Sequence, residues 1–215
     1  MKMKFRMTFI LTIVCLNAAF VFGQEKALEK DAFDSAVNGA QKKLAKQAYR
    51  RTNVYEMFDD RDSEPTKSSK TVTEIALSGA IRWLVESDGK KYEMILVDGK
   101  RYKKEDGGPW KLDESAGGYG RGCGAETKDL SYKIKENSDL GGKKANLYES
   151  VQKMLGVSCG KESADELWTE RYWIGENGML LKSESIFEDI GKKSMRRDVS
   201  VYEYDPNIKI EAPVK

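Results

Sequence analysis

Apolar and polar residues alternate most regularly between Leu77 and Trp110 (LSGAIRWLVESDGKKYEMILVDGKRYKKEDGGPW), around two Asp-Gly pairs, Asp88-Gly89 and Asp98-Gly99. An Asp-Gly pair between alternating runs is the strongest short-range signal for a β-hairpin. A two-residue turn at Asp88-Gly89 sets Ser87 against Lys90. Val85 then faces Tyr92, Trp83 faces Met94 and Ile81 faces Leu96. All six fall on one side, while Glu86 beside Lys91 and Leu84 beside Glu93 fall on the other. A slip of one residue would turn Trp83 to the polar side, so the pattern fixes its own register. At the second turn a three-residue loop with a bulge is expected, because it sets Tyr102, not Arg101, against Leu96 and keeps the apolar side apolar.

The same patterning extends along the chain. From Glu25 to about Tyr49, Leu28, Ala32, Phe33, Ala36, Val37, Ala40, Leu44 and Ala48 recur at helical spacing with mixed charges opposite, which predicts a packing helix with a shallow, Ala-rich stripe. Tyr49–Phe58 reads as a strand and Asp59–Lys70 as a charged loop. Thr71–Val85 reads as one long strand in which Ile75, Leu77, Ile81, Trp83 and Val85 share a side and Gly79 marks a bulge or bend. Glu105–Glu126 is Gly-rich, and nothing in it has the strand-loop-helix order of a phosphate loop. Further strands are expected around Leu130–Ile134, Ala145–Met154, Leu167–Ile174, Met179–Asp189 and Arg196–Tyr204. A compact turn at Gly175–Gly178 joins two of them. The expectation is about nine strands and one long helix in an α+β fold: a strongly curved antiparallel sheet, an unclosed β-barrel, covered by an N-terminal helix.

Residues 1–23 stand apart. A basic start (Lys2, Lys4, Arg6), an apolar run and a small residue at Gly23 form a secretory signal peptide, with cleavage expected before Gln24. Cys15 does not make a lipoprotein signal, because Val14 precedes it where Gly, Ala or Ser is wanted. The chain therefore divides into 1–23, signal peptide, and 24–215, a single domain. The net charge of +2 for the full chain includes the three basic residues of the leader, and without them the balance falls to −1. No basic patch argues for nucleic acid. Cys123 and Cys159 survive cleavage, and in an oxidising compartment an isolated pair reads as one disulfide, worth about 4 kcal/mol in the chain-entropy view.

The chain has no histidine, which removes imidazole bases and His-ligated metals. Glu184 with Glu188, and Asp113 with Glu114, could be named as carboxylate pairs, but among 35 acidic residues such pairs arise freely on solvated faces. Gly156–Gly160 has the G-x-S-x-G spacing, and Ser87, Ser150 and Ser158 each precede a lysine at S-x-x-K spacing. With no histidine to complete a triad these short matches are chance spacings, and H-E-x-x-H does not occur. The reading is a non-enzyme without cofactor or metal. Bulky apolar residues exceed what one shallow helix covers: Trp83, Met94, Trp110, Trp168, Tyr172, Trp173, Leu180 and Ile186. An apolar cavity between sheet and helix is therefore expected. Its lining is assigned to Ile75, Leu77, Ile81, Trp83, Met94, Leu96, Trp110, Trp168 and Tyr172.

Four segments resemble the LolA/LolB-like lipoprotein-carrier superfamily, in particular its outer-membrane lipoprotein-sorting-like members. They are Ile95–Trp110 (ILVDGKRYKKEDGGPW), Gly142–Glu149 (GKKANLYE), Arg171–Ser185 (RYWIGENGMLLKSES) and Val201–Pro213 (VYEYDPNIKIEAP). The resemblance spans roughly residues 50–213. It implies an unclosed, curved antiparallel half-barrel with helices as a lid over a cavity for acyl chains, without a cofactor. The chain departs from that pattern in having few lid helices and in its Cys123–Cys159 pair with a Gly-rich insertion. The function expected is a secreted or periplasmic binding protein or carrier for a hydrophobic ligand, whether lipid, acyl chain or lipoprotein. An envelope protein is the further partner class considered. The alternative is a secreted, non-enzymatic interaction protein with a self-filled core.

Overall fold

The computed structural model describes residues 25–87, 89–114, 124–158 and 163–213. Among them are one helix, α1 (Lys30–Leu44), and twelve strands: β1 (Glu25–Ala27), β2 (Tyr49–Phe58), β3 (Lys67–Ile75), β4 (Ile81–Ser87), β5 (Lys90–Val97), β6 (Lys100–Glu105), β7 (Lys111–Leu112), β8 (Gly124–Leu140), β9 (Lys143–Ser158), β10 (Ser163–Gly175), β11 (Leu180–Asp189) and β12 (Met195–Tyr204). All twelve form one sheet in the order β1-β8-β9-β10-β11-β12-β2-β3-β4-β5-β6-β7. The sheet is two meanders side by side. β2 to β7 step outward to one margin, β8 to β12 step inward from the other, and the two meet where β12 pairs with β2. The outermost strands, β1 and β7, are not paired with each other, so the sheet is open.

The first hairpin has the register the alternation predicts, with Ser87 opposite Lys90, Val85 opposite Tyr92, Trp83 opposite Met94 and Ile81 opposite Leu96. The second does not carry the expected bulge. Val97 pairs with Lys100 and Leu96 with Arg101, and Tyr102 falls opposite Ile95 on the other face. Asp98 (φ 50°) and Gly99 (φ 72°) both take positive φ, the two-residue turn whose twist matches the flanking strands. Turn chemistry outweighed apolar matching.

The run from Thr71 to Val85 is two strands and not one. Gly79 (φ 83°) lies in a tight reversal, in which Ala76 N–H donates to Ala80 O and Gly79 N–H to Ala76 O. Ala76 and Ala80 are buried at its base, whereas Leu77 stands at the tip, 66% exposed. That split, together with the short β1 and β7, separates twelve strands from the nine expected. The helix is also shorter than its periodicity suggested. Glu25–Ala27 are drawn out of it by pairing with Lys133–Lys135 of β8. Residues 1–24, Cys123 and Cys159 lie outside the described residues, as do residues 115–122 of the Gly-rich stretch.

Helix α1 lies on one face of the sheet. Phe33, Val37 and Ala40, at i, i+4 and i+7, are its buried residues. Phe33 meets the rings of Tyr132 (5.1 Å) and Tyr172 (6.1 Å), and Ala40 packs with Ile174 and Leu180. Burying Phe33 and Val37 contributes about 1.5–3 kcal/mol each. Lys30 Nζ pairs with Asp129 at 2.7 Å at one end, and at the other Lys43 Nζ donates to Asn177 O at 2.8 Å, in the β10–β11 turn.

Candidate functional site

Alternation along the strands divides the sheet into a helix face and an outer face. The outer face is a mesh of ion pairs. Arg171 bonds Glu149 (2.6 Å) and Glu184 (3.2 Å), and Arg197 bonds Glu184 (2.7 Å). Arg82 bonds Glu93 (2.6 Å), and Arg50 bonds Glu74 (2.7 Å). Burial pushes the Glu184 carboxyl up, but Arg197 and Arg171 outweigh it and hold it below the ordinary value. A hollow of about 400 Å³ on this side is rimmed by Lys70, Glu86, Lys91, Glu93 and Lys104. Val72, Leu84, Val85 and Tyr92 also line it, so it has an apolar floor inside a charged rim in which Glu93 bonds Arg82 and Lys104 and Lys91 pairs with Glu86.

The helix face is different. Its first part, under α1, is a packed layer of Tyr148, Tyr172, Ile174, Leu180 and Tyr202. Two phenols on this face, Tyr172 and Tyr204, are held neutral. Burial and then Glu170 push the Tyr172 hydroxyl far above its usual range, and burial pushes Tyr204 up to about 12. Tyr172 donates to Glu170 Oε1 at 2.8 Å. The second part, on β3, β4 and β5, carries Ile75, Ile81, Trp83, Val85, Tyr92, Met94 and Leu96 on one side by register. These residues are partly exposed, because α1 packs chiefly against β8, β10 and β11. An apolar hollow of about 200 Å³ opens here, lined by Val85, Tyr92, Met94, Lys103 and Glu105, with Glu93 and Lys104 between them in sequence. Between the two parts runs a polar band on β12 and β2, where Asn53 donates to Asp198 and, at 3.0 Å, to Ser200.

Of the nine residues assigned to a cavity, Ile75, Ile81, Trp83, Met94 and Leu96 are brought together on this uncovered apolar part. Tyr172 and Trp168 share the face but are separated from β4 by four intervening strands, β11, β12, β2 and β3. Tyr172 is under the helix, and Trp168 stacks on Phe187 at 5.5 Å. Leu77 is at the exposed β3–β4 tip. Trp110 lies beneath Lys104 Nζ (4.7 Å), which also pairs with Glu93 of the outer face. Trp173, under Lys182 Nζ at 4.3 Å, and Ile186 alternate to the outer face too. Val85 and Tyr92 were legible as face partners but not as lining. Arg51 and Thr73 were missed outright. The adjacent Arg50 and Arg51 held a signal, since neighbours on a strand point to opposite faces and one of the two must turn inward.

Among the described residues, no group of three or more His, Cys, Asp or Glu is placed to hold a metal ion, and no helix is long and apolar enough to cross a membrane. No family model matches the chain, and no curated protein matches it. Among solved structures it is similar to the Mycobacterium tuberculosis lipoprotein LppX, at 9% identity and a TM-score of 0.48 over 85% of this chain and 100% of that one. It is also similar to a Vibrio parahaemolyticus domain described as an outer membrane lipoprotein-sorting protein, at 7% identity and a TM-score of 0.29 over 82% and 95% of the two chains. The second carries by its description the name of the group that the four sequence segments resemble. The superpositions are too loose to carry a residue or a ligand across.

Proposed function

We propose that this chain is a non-enzymatic binding protein or carrier for a hydrophobic ligand (a lipid, an acyl chain or the acyl group of a lipoprotein) held on the helix face of the sheet. It works in the periplasm or outside the cell, after loss of residues 1–23. The observation that carries the reading is the uncovered apolar surface on β3–β5, where Trp83, Met94, Leu96 and their neighbours face the helix side without the helix over them. Monomeric proteins seldom leave contiguous apolar surface open without a use for it. The hollow beside Met94 supplies the concavity such a ligand needs. The resemblance to lipoprotein carriers agrees with this reading, and an envelope protein that delivers or receives the ligand is its natural partner.

The test is binding of a fluorescent acyl probe by the secreted protein, together with lipid extraction and mass spectrometry of natively purified material. Wild type is expected to bind at micromolar concentration. Trp83→Ala should weaken binding about tenfold or more, the equivalent of losing about 1.5–2 kcal/mol of apolar contact, with the circular dichroism of the sheet retained. Glu86→Gln, exposed on the outer face, should bind as wild type does. A wild-type protein that neither binds the probe nor yields lipid would leave the secreted interaction protein as the better reading.

A further inference from the structure

Seven of the eight arginines among the described residues have a carboxylate partner: Arg50, Arg61, Arg82, Arg101, Arg171, Arg196 and Arg197. Arg51 has none. It is the third residue of β2, on the helix face, opposite Tyr202 of β12 and Thr73 of β3. Its Nε is shut off from solvent and makes no hydrogen bond among the described residues. Thr73 is 2% exposed, and its Oγ1 is likewise without a partner. Two adjacent buried donors left unsatisfied in one place are costly and uncommon in a folded protein.

Their position gives the pair a meaning. Thr73 is flanked on its other side by Trp83, which faces Met94. One cross-strand row therefore runs Tyr202, Arg51, Thr73, Trp83, Met94. It begins at the core under α1, passes a cation and a hydroxyl, and continues onto the open apolar surface. Two interstrand steps separate Arg51 from Trp83, about 10 Å. A guanidinium recognises a carboxylate by paired, charge-assisted hydrogen bonds, and a neighbouring hydroxyl can supply one more.

We propose that the ligand is an anionic amphiphile of the fatty-acid class, with its carboxylate on Arg51 and Thr73 and its chain laid along Trp83 and Met94. This rests on the hydrophobic-ligand reading above and narrows it to a charged head at a fixed end of the row. A guest seated in this way satisfies both orphaned donors and covers the partly exposed Trp83 indole in one event.

The experiment compares dodecanoate with dodecanol, equal in chain length and differing in charge, by displacement of the acyl probe from the secreted protein. Wild type is expected to prefer dodecanoate at least tenfold. Arg51→Gln should abolish that preference and leave dodecanol affinity unchanged, which also shows that the variant is folded. Arg51→Lys should restore part of the preference, and Thr73→Val should reduce it a few-fold. Millimolar acetate should displace neither compound, and displacement by acetate would make this a small-anion site and overturn the proposal. Equal affinity of wild type for the two compounds would also overturn it while leaving the hydrophobic-ligand reading intact. Binding of neither would bring down that reading and this one together.

Discussion

Glu170 is a carboxyl on the helix face whose pKa is raised, because burial disfavours its charge more than the Tyr172 hydroxyl hydrogen bond favours it. Such a group weighs nothing against the fold while protonated. It counts against the fold increasingly as pH rises from the ordinary value of 4.5 through its folded pKa. Glu170→Gln keeps an acceptor for Tyr172 and removes the charge. It is expected to raise the urea midpoint at pH 7 and to leave it nearly unchanged at pH 4. A variant weaker than wild type at pH 7 would mean that the carboxylate is itself needed. Chemistry at this scale was the hardest to read from sequence. Glu184 and Glu188 resembled a catalytic pair by spacing, yet Glu184 is clamped by Arg171 and Arg197 and Glu188 reaches Arg61. Cross-strand partners come from distant positions, so spacing along one strand cannot show them.

Elements were far more legible than contacts, and the reason is local. Tyr49–Phe58 is a strand with the limits the alternation gives, and the hairpin at Asp88-Gly89 keeps its register because one slip would expose Trp83. What failed were long-range effects, such as β1 taking the first residues of the expected helix, and a reversal at Gly79 mistaken for a bend. The turn joining β10 and β11 has a testable demand. Gly178 takes φ 74°, and a Cβ there would run into Lys43 Nζ, the group that ties the end of α1 to Asn177. Gly178→Ala therefore meets both backbone strain and a collision. A loss of about 1–2 kcal/mol is expected in urea denaturation, with faster amide exchange at Leu44 and its neighbours. Unchanged stability would show that the tether contributes nothing.

At the scale of the molecule, the two meanders are joined by a single ladder, ten residue pairs from Met195–Phe58 to Tyr204–Tyr49. Its polar clasp, Asn53 to Ser200, closes across 147 positions of sequence. Among the described residues neither half has a second sheet to lie on, so they are expected to melt together. Variants keeping only Trp83 in one meander, or only Trp168 in the other, should give coincident fluorescence transitions in urea, and separated midpoints would show that the halves are independent. The margin of the sheet has a different consequence. β1 covers only Lys133–Lys135 of the seventeen-residue β8, and an open strand of that length is a template on which further copies can stack into fibrils. β8 is poorly suited to that use. Lys128, Asp129, Lys133, Lys135 and Glu136 stud it with charge, its pairing skips between Asp129 and Ser131 and between Lys135 and Ser138, and Asn137 twists it with φ 53°. Among the described residues, the part of β8 that β1 leaves uncovered is therefore a poor template for further copies of this chain, and the protein is expected to stay unpolymerised when concentrated.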